Sequence, residues 1–164
     1  MGFTCSVCGE HHDDRLLDIR LGLPDDIHAL PAEERERRAL VDDDFAVLDG
    51  RRFFVRGLLE LPIPELGGRF GYGTWVEVRE PEFGELRRRW HDPEQFEPVD
   101  CAVANELAPY RATTGLGATL RATTPDRLPT VELADGDHPL IGDQRSGITA
   151  ARSDELASVV LHPV

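Results

Sequence analysis

Two neighbouring segments between Arg52 and Arg79 place apolar residues at every second position, and this alternation constrains the fold more than any other feature of the sequence. A period of two puts the apolar side chains of a strand on one face, so the pattern predicts two half-buried β-strands. Prolines and glycines at positions 62–68 supply the turn chemistry between them. Residues 52–79 are therefore predicted to form a long antiparallel hairpin at the centre of the fold.

The register of this hairpin follows from its apolar faces, because a slip of one residue would move one set of apolar side chains into water. We expect Val55 to lie opposite Val78, which would place Arg56 opposite Glu77 on the outer face. Trp75 shares that outer face, where an uncovered indole would be unusual. The helix that follows the hairpin, or a partner protein, is expected to cover the indole, which makes Arg56 and Trp75 candidate binding residues.

The rest of the chain is predicted to contain shorter strands and helices. Residues 31–40 and 81–90 each begin with a proline followed by acidic residues, and arginines lie near their ends. This distribution of charge suits the helix dipole, so both segments are predicted to be helices. A third helix is expected at 150–161, an irregular loop at 134–147, and strands at 45–48, 101–107, 113–122 and 128–133. This order predicts an α+β fold, a single domain over residues 1–164 in which helices pack on one antiparallel sheet built on the central hairpin.

The charge balance of the chain excludes some classes of partner. The 164 residues include 31 acidic and 18 basic side chains, a net charge of −13, and every basic residue is an arginine. A chain this acidic is repelled by phosphate backbones, so we expect a basic protein as partner and no nucleic acid. No apolar run approaches the ~18 residues of a membrane span, and the N-terminus lacks a signal-peptide pattern, so we expect a cytoplasmic protein without membrane association. The sequence leaves the oligomeric state open.

Residues 1–14 contain the one group of side chains with the spacing of metal ligands. Cys5 and Cys8 lie on a turn closed by a glycine, and His12 follows within reach of the same point. Tetrahedral zinc prefers thiolate and imidazole ligands, so Cys5, Cys8 and His12 are predicted to hold a structural zinc ion. The alternative is a cysteine pair without metal. A fourth ligand would come from His11, Cys101 or His138.

A second group of polar residues, His138, Gln144 and Arg145, falls in the segment expected to be a loop, where binding residues are often found. The histidine and the arginine are suited to hold an anionic ligand or an acidic partner. In the alternative interpretation, His138 caps a turn and Arg145 pairs with one of the nearby carboxylates.

Several short blocks stand out in order along the chain: Cys5-x-x-Cys8-Gly9-x-x-His12, the hydrophobic block at 52–63, Gly73-Thr74-Trp75-Val76, Asn105-Glu106-Leu107 with Tyr110, and His138-Pro139-Leu140 with Gln144-Arg145. In this order they resemble an uncharacterised bacterial family, the domain-of-unknown-function family numbered 2199. The resemblance spans nearly the whole chain and implies little about function. Cys101 and the threonine- and arginine-rich segment 111–127 depart from the family pattern.

Two functions of different classes follow from these features. In the first, the chain is a small acidic binding or interaction protein with a structural zinc site and no catalysis of its own. In the second, it is a metal-assisted hydrolase that uses zinc near His12 and His138. A structural zinc site closes with four protein ligands, whereas a catalytic site leaves one position for water. The sequence contains no nucleophile elbow, phosphate-binding glycine loop or HExxH motif, which favours the first function.

The purified protein is expected to contain about one zinc ion per chain, because two thiolates and an imidazole bind this metal well. The substitution Cys5→Ser should remove the metal, as measured by elemental analysis, and the metal should also be released as the pH falls and the thiolates are protonated. Zinc content that is unchanged by Cys5→Ser, or absent from the wild type, would show that the cysteines are not ligands. A water molecule on the bound metal would favour the hydrolase.

Overall fold

The computed structural model describes residues 3–5, 8–12, 17–92 and 94–161. Their strands are β1 (Phe3–Thr4), β2 (His11–His12), β3 (Asp18–Arg20), β4 (Ala39–Val41), β5 (Phe45–Leu48), β6 (Arg52–Ile63), β7 (Gly68–Val78), β8 (Val99–Val103), β9 (Gly117–Arg121) and β10 (Thr130–Leu133). The helices are α1 (Asp25–His28), α2 (Ala32–Arg38), α3 (Glu80–Arg89), α4 (Pro139–Ser146) and α5 (Ala150–Leu161), and a 3₁₀ turn spans Pro64–Leu66.

The central hairpin consists of β6 and β7, which pair in antiparallel directions along their whole length. Arg56 lies opposite Trp75 rather than opposite Glu77, so the predicted register is wrong by two residues. Glu77 instead accepts hydrogen bonds from the guanidinium of Arg52, both at 2.9 Å. A shift of two residues preserves the face that each side chain occupies, because that alternation has a period of two. The apolar side chains of the hairpin therefore still share one buried face.

Beyond the hairpin the sheet closes on itself. Strands β7, β8, β9 and β10 follow one another as antiparallel neighbours. Strand β10 then returns to pair with β6 in parallel, with Thr130 opposite Leu58. The described residues thus form a closed barrel of five strands, β6 to β10. The α+β class is confirmed, but the sheet is a mixed, closed one, and the predicted single antiparallel sheet is wrong in this respect.

The two hairpin strands are long enough to pair with further strands outside the barrel. Residues 71–73 of β7 pair in parallel with β3, and residues 52–55 of β6 pair with β5. Strand β4 adds to β5 and forms one edge of the eight-stranded sheet in the described part of the chain. These additional strands border the outer face of the hairpin, where the candidate site lies.

Apolar side chains pack in two clusters, one on each face of the hairpin. The larger cluster fills the barrel and extends beneath α3, α4 and α5, and the ring centroids of Phe45 and Trp90 lie 4.7 Å apart at its margin. The smaller cluster lies on the outer face and contains Phe54, Trp75 and Ile27. Trp75 is therefore covered by the segment around α1. The prediction that the helix after the hairpin covers this indole is wrong, because α3 packs on the other face.

Helix α4 lies inside the segment that was predicted to be an irregular loop. Pro139 occupies its first turn, and Nδ1 of His138 accepts a hydrogen bond from the N–H of Leu140 at 3.1 Å, as an N-cap does. The buried residues of this helix, Leu140 and Ile141, are consecutive. A short helix with consecutive apolar residues shows no 3.6-residue period, so the pattern did not reveal it.

The interior of the barrel has no room for a side chain at Gly57. A Cβ atom at this position would lie 2.6 Å from Cγ2 of Val131 and 2.9 Å from Cδ1 of Leu120. Both side chains belong to the strands that close the barrel, β10 and β9. Glycine at position 57 therefore allows β6 to approach these strands closely.

The substitution Gly57→Ala should lower the free energy of unfolding by about 1–3 kcal/mol, because the added methyl group must displace packed side chains. Chemical denaturation of the purified variant measures this change. Gly84→Ala is a matched control, since a Cβ atom there meets nothing within 4 Å. In the middle of α3 that alanine should instead raise the free energy of unfolding by roughly 0.5–1 kcal/mol. Equal effects of the two substitutions would contradict the packing at Gly57.

Candidate functional site

The outer face of the hairpin contains a buried arginine. Arg56 is only 3% exposed, and within the described residues its guanidinium donates hydrogen bonds to backbone carbonyls alone. Nε donates to the carbonyl of Asp43 and Nη1 to the carbonyl of Leu21, both at 2.8 Å, and Nη1 also approaches the carbonyl of Gly73 at 3.4 Å. These carbonyls belong to three separate segments, so Arg56 ties the end of β3 and the middle of β7 to the loop before β5.

Arg56 and Trp75 form a single unit across the hairpin. The guanidinium carbon lies 4.5 Å from the centroid of the indole ring, in the geometry of a cation–π contact. The indole Nε1 donates to the carbonyl of Leu21 at 3.2 Å, the same carbonyl that accepts from Arg56. The structure therefore brings together the two residues that were selected on this face, through a pairing that the predicted register does not contain.

The charge of Arg56 is only partly compensated by its surroundings. Burial, followed by repulsion from Arg20, lowers the pKa of Arg56 below its ordinary value, while Asp43 and Asp44 act in the opposite direction. In the described residues neither carboxylate is hydrogen-bonded to the guanidinium, and Nη2 has no acceptor. Because a guanidinium remains protonated at neutral pH, Arg56 is a buried cation with one nitrogen available to a ligand.

A pocket of about 440 Å³ opens beside this cation. Strand β3, the loop before β5 and the outer face of the hairpin form its walls. Arg20 and Asp43, both exposed, approach each other across it at 3.9 Å. The lining combines charged residues with an apolar wall: Arg20, Arg56, Asp18, Asp43, Asp44, Ile19, Leu58, Gly73 and Leu128.

Asn105 stabilises the strand that contains Trp75, although the sequence did not identify it as a functional residue. Its Oδ1 accepts from the N–H of Trp75 at 2.8 Å and from the hydroxyl of Thr74 at 3.0 Å. Its Nδ2 donates to the carbonyl of Leu23 at 2.8 Å and to Oδ1 of Asp25 at 2.9 Å. The buried amide is fully hydrogen-bonded and holds the Trp75 strand against the loop after β3. A single buried asparagine leaves no periodic signal in a sequence, which explains the omission.

The structure places His138, Gln144 and Arg145 at helix α4, and each has a partner within the fold. Besides capping the helix, His138 has Nε2 2.7 Å from the carbonyl of Arg111. The amide of Gln144 exchanges two hydrogen bonds of 2.8 Å with the backbone of β10. Arg145 is ion-paired with Asp135. These contacts fix α4 to the barrel, as the alternative interpretation expects, and a binding role for the three residues stays a prediction.

Cys5 and Cys8 lie in the turn between β1 and β2. The N–H of Gly9 donates to the carbonyl of Cys5 at 2.9 Å, and this glycine has a left-handed φ of 73°. Cys5 is buried against α5, with Sγ 3.6 Å from the hydroxyl oxygen of Ser158, whereas Cys8 is exposed. The side chain of His12 lies outside the described residues, and the zinc site stays a prediction.

Cys101, one of the candidates for a fourth zinc ligand, lies in β8, where burial raises the pKa of its thiol to about 12. Without a bound metal, such a thiol stays protonated at neutral pH, and its role as a ligand stays a prediction. Within residues 3–5, 8–12, 17–92 and 94–161, no three histidine, cysteine or carboxylate side chains are grouped in a way that could hold a metal ion.

The substitution Arg56→Lys should lower the free energy of unfolding by about 2–4 kcal/mol, because an ammonium group cannot reach several carbonyls and stack on an indole at once. Thermal and chemical denaturation measure this change. Arg145→Lys is the matched control, since its ion pair with Asp135 is exposed and should contribute less than about 0.5 kcal/mol. An Arg56→Lys variant as stable as the wild type would show that the carbonyl contacts are dispensable.

No helix in the described part of the chain is both long and apolar enough to cross a membrane.

Comparisons with known proteins identify the family of the chain. Curated proteins and solved structures contain no match to the chain. A family model described as an uncharacterized protein conserved in bacteria, DUF2199, matches residues 4–148, a range that includes the barrel and the Arg56 pocket. The chain therefore belongs to this family of bacterial proteins.

Proposed function

We propose that the protein is a small binding protein, without catalysis of its own, and that its ligand is an amino-acid-like zwitterion held in the Arg56 pocket. The observation that carries this proposal is the buried guanidinium of Arg56, which lines the pocket and whose Nη2 has no acceptor among the described residues. Binding sites commonly combine an apolar wall with a few fixed polar groups of this kind.

An anionic group on the ligand would supply the charge that Arg56 lacks. A cation that is surrounded by neutral carbonyls and removed from water attracts negative charge more strongly than a hydrated one. Trp75 stacks on the guanidinium, and two carbonyls hold Nε and Nη1 at 2.8 Å, so the direction of Nη2 is set before a ligand arrives. Such preorganisation favours binding because little freedom is lost when the complex forms.

The carboxylates of the lining disfavour a simple anion. Two arginines, Arg20 and Arg56, face three aspartates, Asp18, Asp43 and Asp44. A phosphate or a nucleotide would be repelled by the aspartates. A molecule with a carboxylate and an ammonium group a few bonds apart would meet the opposite charge at both ends. An α-amino acid is the simplest member of this chemical class.

The volume and the walls of the pocket also fit an amino acid. Small-molecule sites occupy roughly 300–1,000 Å³ in proteins, and this pocket measures about 440 Å³. Leu58 and Leu128 place apolar side chains beside the charged groups. An amino acid with an apolar side chain would bury that side chain against these leucines, so leucine-like ligands should bind better than acidic ones.

In this proposal the predicted zinc ion stabilises the structure and takes no part in ligand binding. Cys5 is buried against α5, so a metal bound by Cys5, Cys8 and His12 would tie the N-terminal hairpin to that helix. The acidic surface, with a net charge of −13, remains suited to the expected basic protein partner. Metal-assisted hydrolysis stays the alternative and requires a water ligand on the metal.

Isothermal titration calorimetry with leucine, aspartate and inorganic phosphate tests the proposed ligand class. The wild type should bind leucine and neither of the other two. Arg20→Gln and Asp43→Asn should each weaken leucine binding about fivefold, the equivalent of roughly 1 kcal/mol for one charged contact at an exposed rim. Arg121→Gln removes an exposed charge outside the pocket and should leave binding unchanged. Phosphate binding by the wild type, or leucine binding that neither pocket variant weakens, would refute the proposal.

A further inference from the structure

Strand β4 exposes apolar side chains at the edge of the sheet. Among the described residues, the large apolar side chains that are exposed both belong to this strand: Leu40 is 76% exposed and Val41 is 42% exposed. No described strand pairs with the outer edge of β4. An edge strand with exposed apolar side chains is a template for pairing with another chain.

The pairing of β4 with β5 determines which backbone groups face outward. The N–H of Asp42 donates to the carbonyl of Phe45 at 2.9 Å, so residues 38, 40 and 42 direct their backbone groups toward β5. Ala39 and Val41 therefore direct theirs toward the outer edge. The N–H of Ala39 donates back to the last turn of α2. The outer edge thus offers the carbonyl of Ala39 together with the N–H and carbonyl of Val41.

We propose that β4 pairs in antiparallel fashion with β4 of a second copy of this chain, about a two-fold axis at Leu40. In this register the N–H of Val41 in each copy donates to the carbonyl of Ala39 in the other. The two Leu40 side chains then occupy a non-hydrogen-bonded pair, the position at which facing side chains lie closest. The exposed leucine of each copy would be covered by its equivalent, as an isologous interface requires.

The charges at the two ends of β4 have opposite signs, so two antiparallel copies of the strand are electrostatically complementary. Arg37 and Arg38 precede the strand, and Asp42 and Asp43 follow it. Antiparallel self-pairing brings the arginines of one copy close to the aspartates of the other, on both sides of the axis. Arg38 already pairs with Asp49, whereas Arg37 is exposed and has no ion pair within the described residues. Asp43 meets Arg20 only at 3.9 Å and its side chain is 96% exposed, so Arg37 and Asp43 are the pair that the second copy would bring together.

A groove of about 200 Å³ borders Leu40 on the side of β5 and α3. Phe45, Val47 and Phe83 form its apolar floor. Leu40 lies opposite Val47 and thus on the same face of the sheet as this floor. The leucine of a second copy would contact Leu40 from the side away from β5, so the groove floor and the second leucine would together cover Leu40. This arrangement would also join the two eight-stranded sheets into one continuous sheet.

Sedimentation of the full chain at about 100 µM tests self-pairing, because a contact of micromolar affinity is then largely formed. The wild type should sediment as a dimer. Leu40→Glu places like charges across the axis and should weaken dimerisation at least tenfold, and circular dichroism verifies that the variant is folded. A monomeric wild type at this concentration would refute the proposal. A Leu40→Glu variant that dimerises like the wild type would refute it as well.

Charge exchange between Arg37 and Asp43 identifies the register without altering the core. Arg37→Glu and Asp43→Arg each create two repulsive contacts in a homodimer, so each variant alone should dimerise more weakly than the wild type. An equimolar mixture should recover dimers, because every substituted side chain then faces an opposite charge in the other copy. A mixture that associates no better than the separate variants would refute the antiparallel pairing of β4.

Discussion

The pairing of strand β6 is the constraint on which the rest of this structure depends. One edge of its 12 residues is bonded to β7, and the other edge is shared between β5 and β10. A slip of one residue would turn Gly57 to the outer face and place the charged Arg56 among the apolar side chains inside the barrel. The closed barrel and the outer pocket are therefore two consequences of a single register.

A buried cation without a bonded carboxylate is unusual, because removing an ion from water is unfavourable unless its charge is compensated. At Arg56 the groups in direct contact with the guanidinium are neutral, namely backbone carbonyls and the face of Trp75. Asp43 and Asp44 act only through their charge. Asn105 fixes the strand that contains Trp75 through its four hydrogen bonds. Because these contacts stabilise the outer face without an anion, the positive charge of Arg56 in the pocket is not neutralised by a bonded carboxylate. Fold and site are thus built from one set of interactions.

The sequence was sufficient to predict the faces of the hairpin, because side-chain direction is a local property with a period of two. It did not determine the register, since a shift of two residues leaves every face unchanged. Closure of the barrel depends on Thr130 meeting Leu58, a parallel contact between distant segments that no local pattern records. The sequence pattern did not predict helix α4, because its buried residues are consecutive and show no 3.6-residue period. Arg56 and Trp75 were placed correctly on one face, but their contact with each other was not predicted. The carbonyls and Asn105 that surround them come from segments that only the fold brings together.

The division of the apolar residues into two clusters has a consequence for spectroscopy. The chain has two tryptophans, and each face of the sheet holds one of them. Trp75 is inaccessible to solvent beneath Arg56, whereas Trp90 is half-buried and donates from Nε1 to a carboxylate oxygen of Asp44 at 3.2 Å. Their fluorescence therefore differs in wavelength and in access to quenchers, and each indole reports on its own face. Coincident changes in both signals during denaturation would identify the two faces as one cooperative unit.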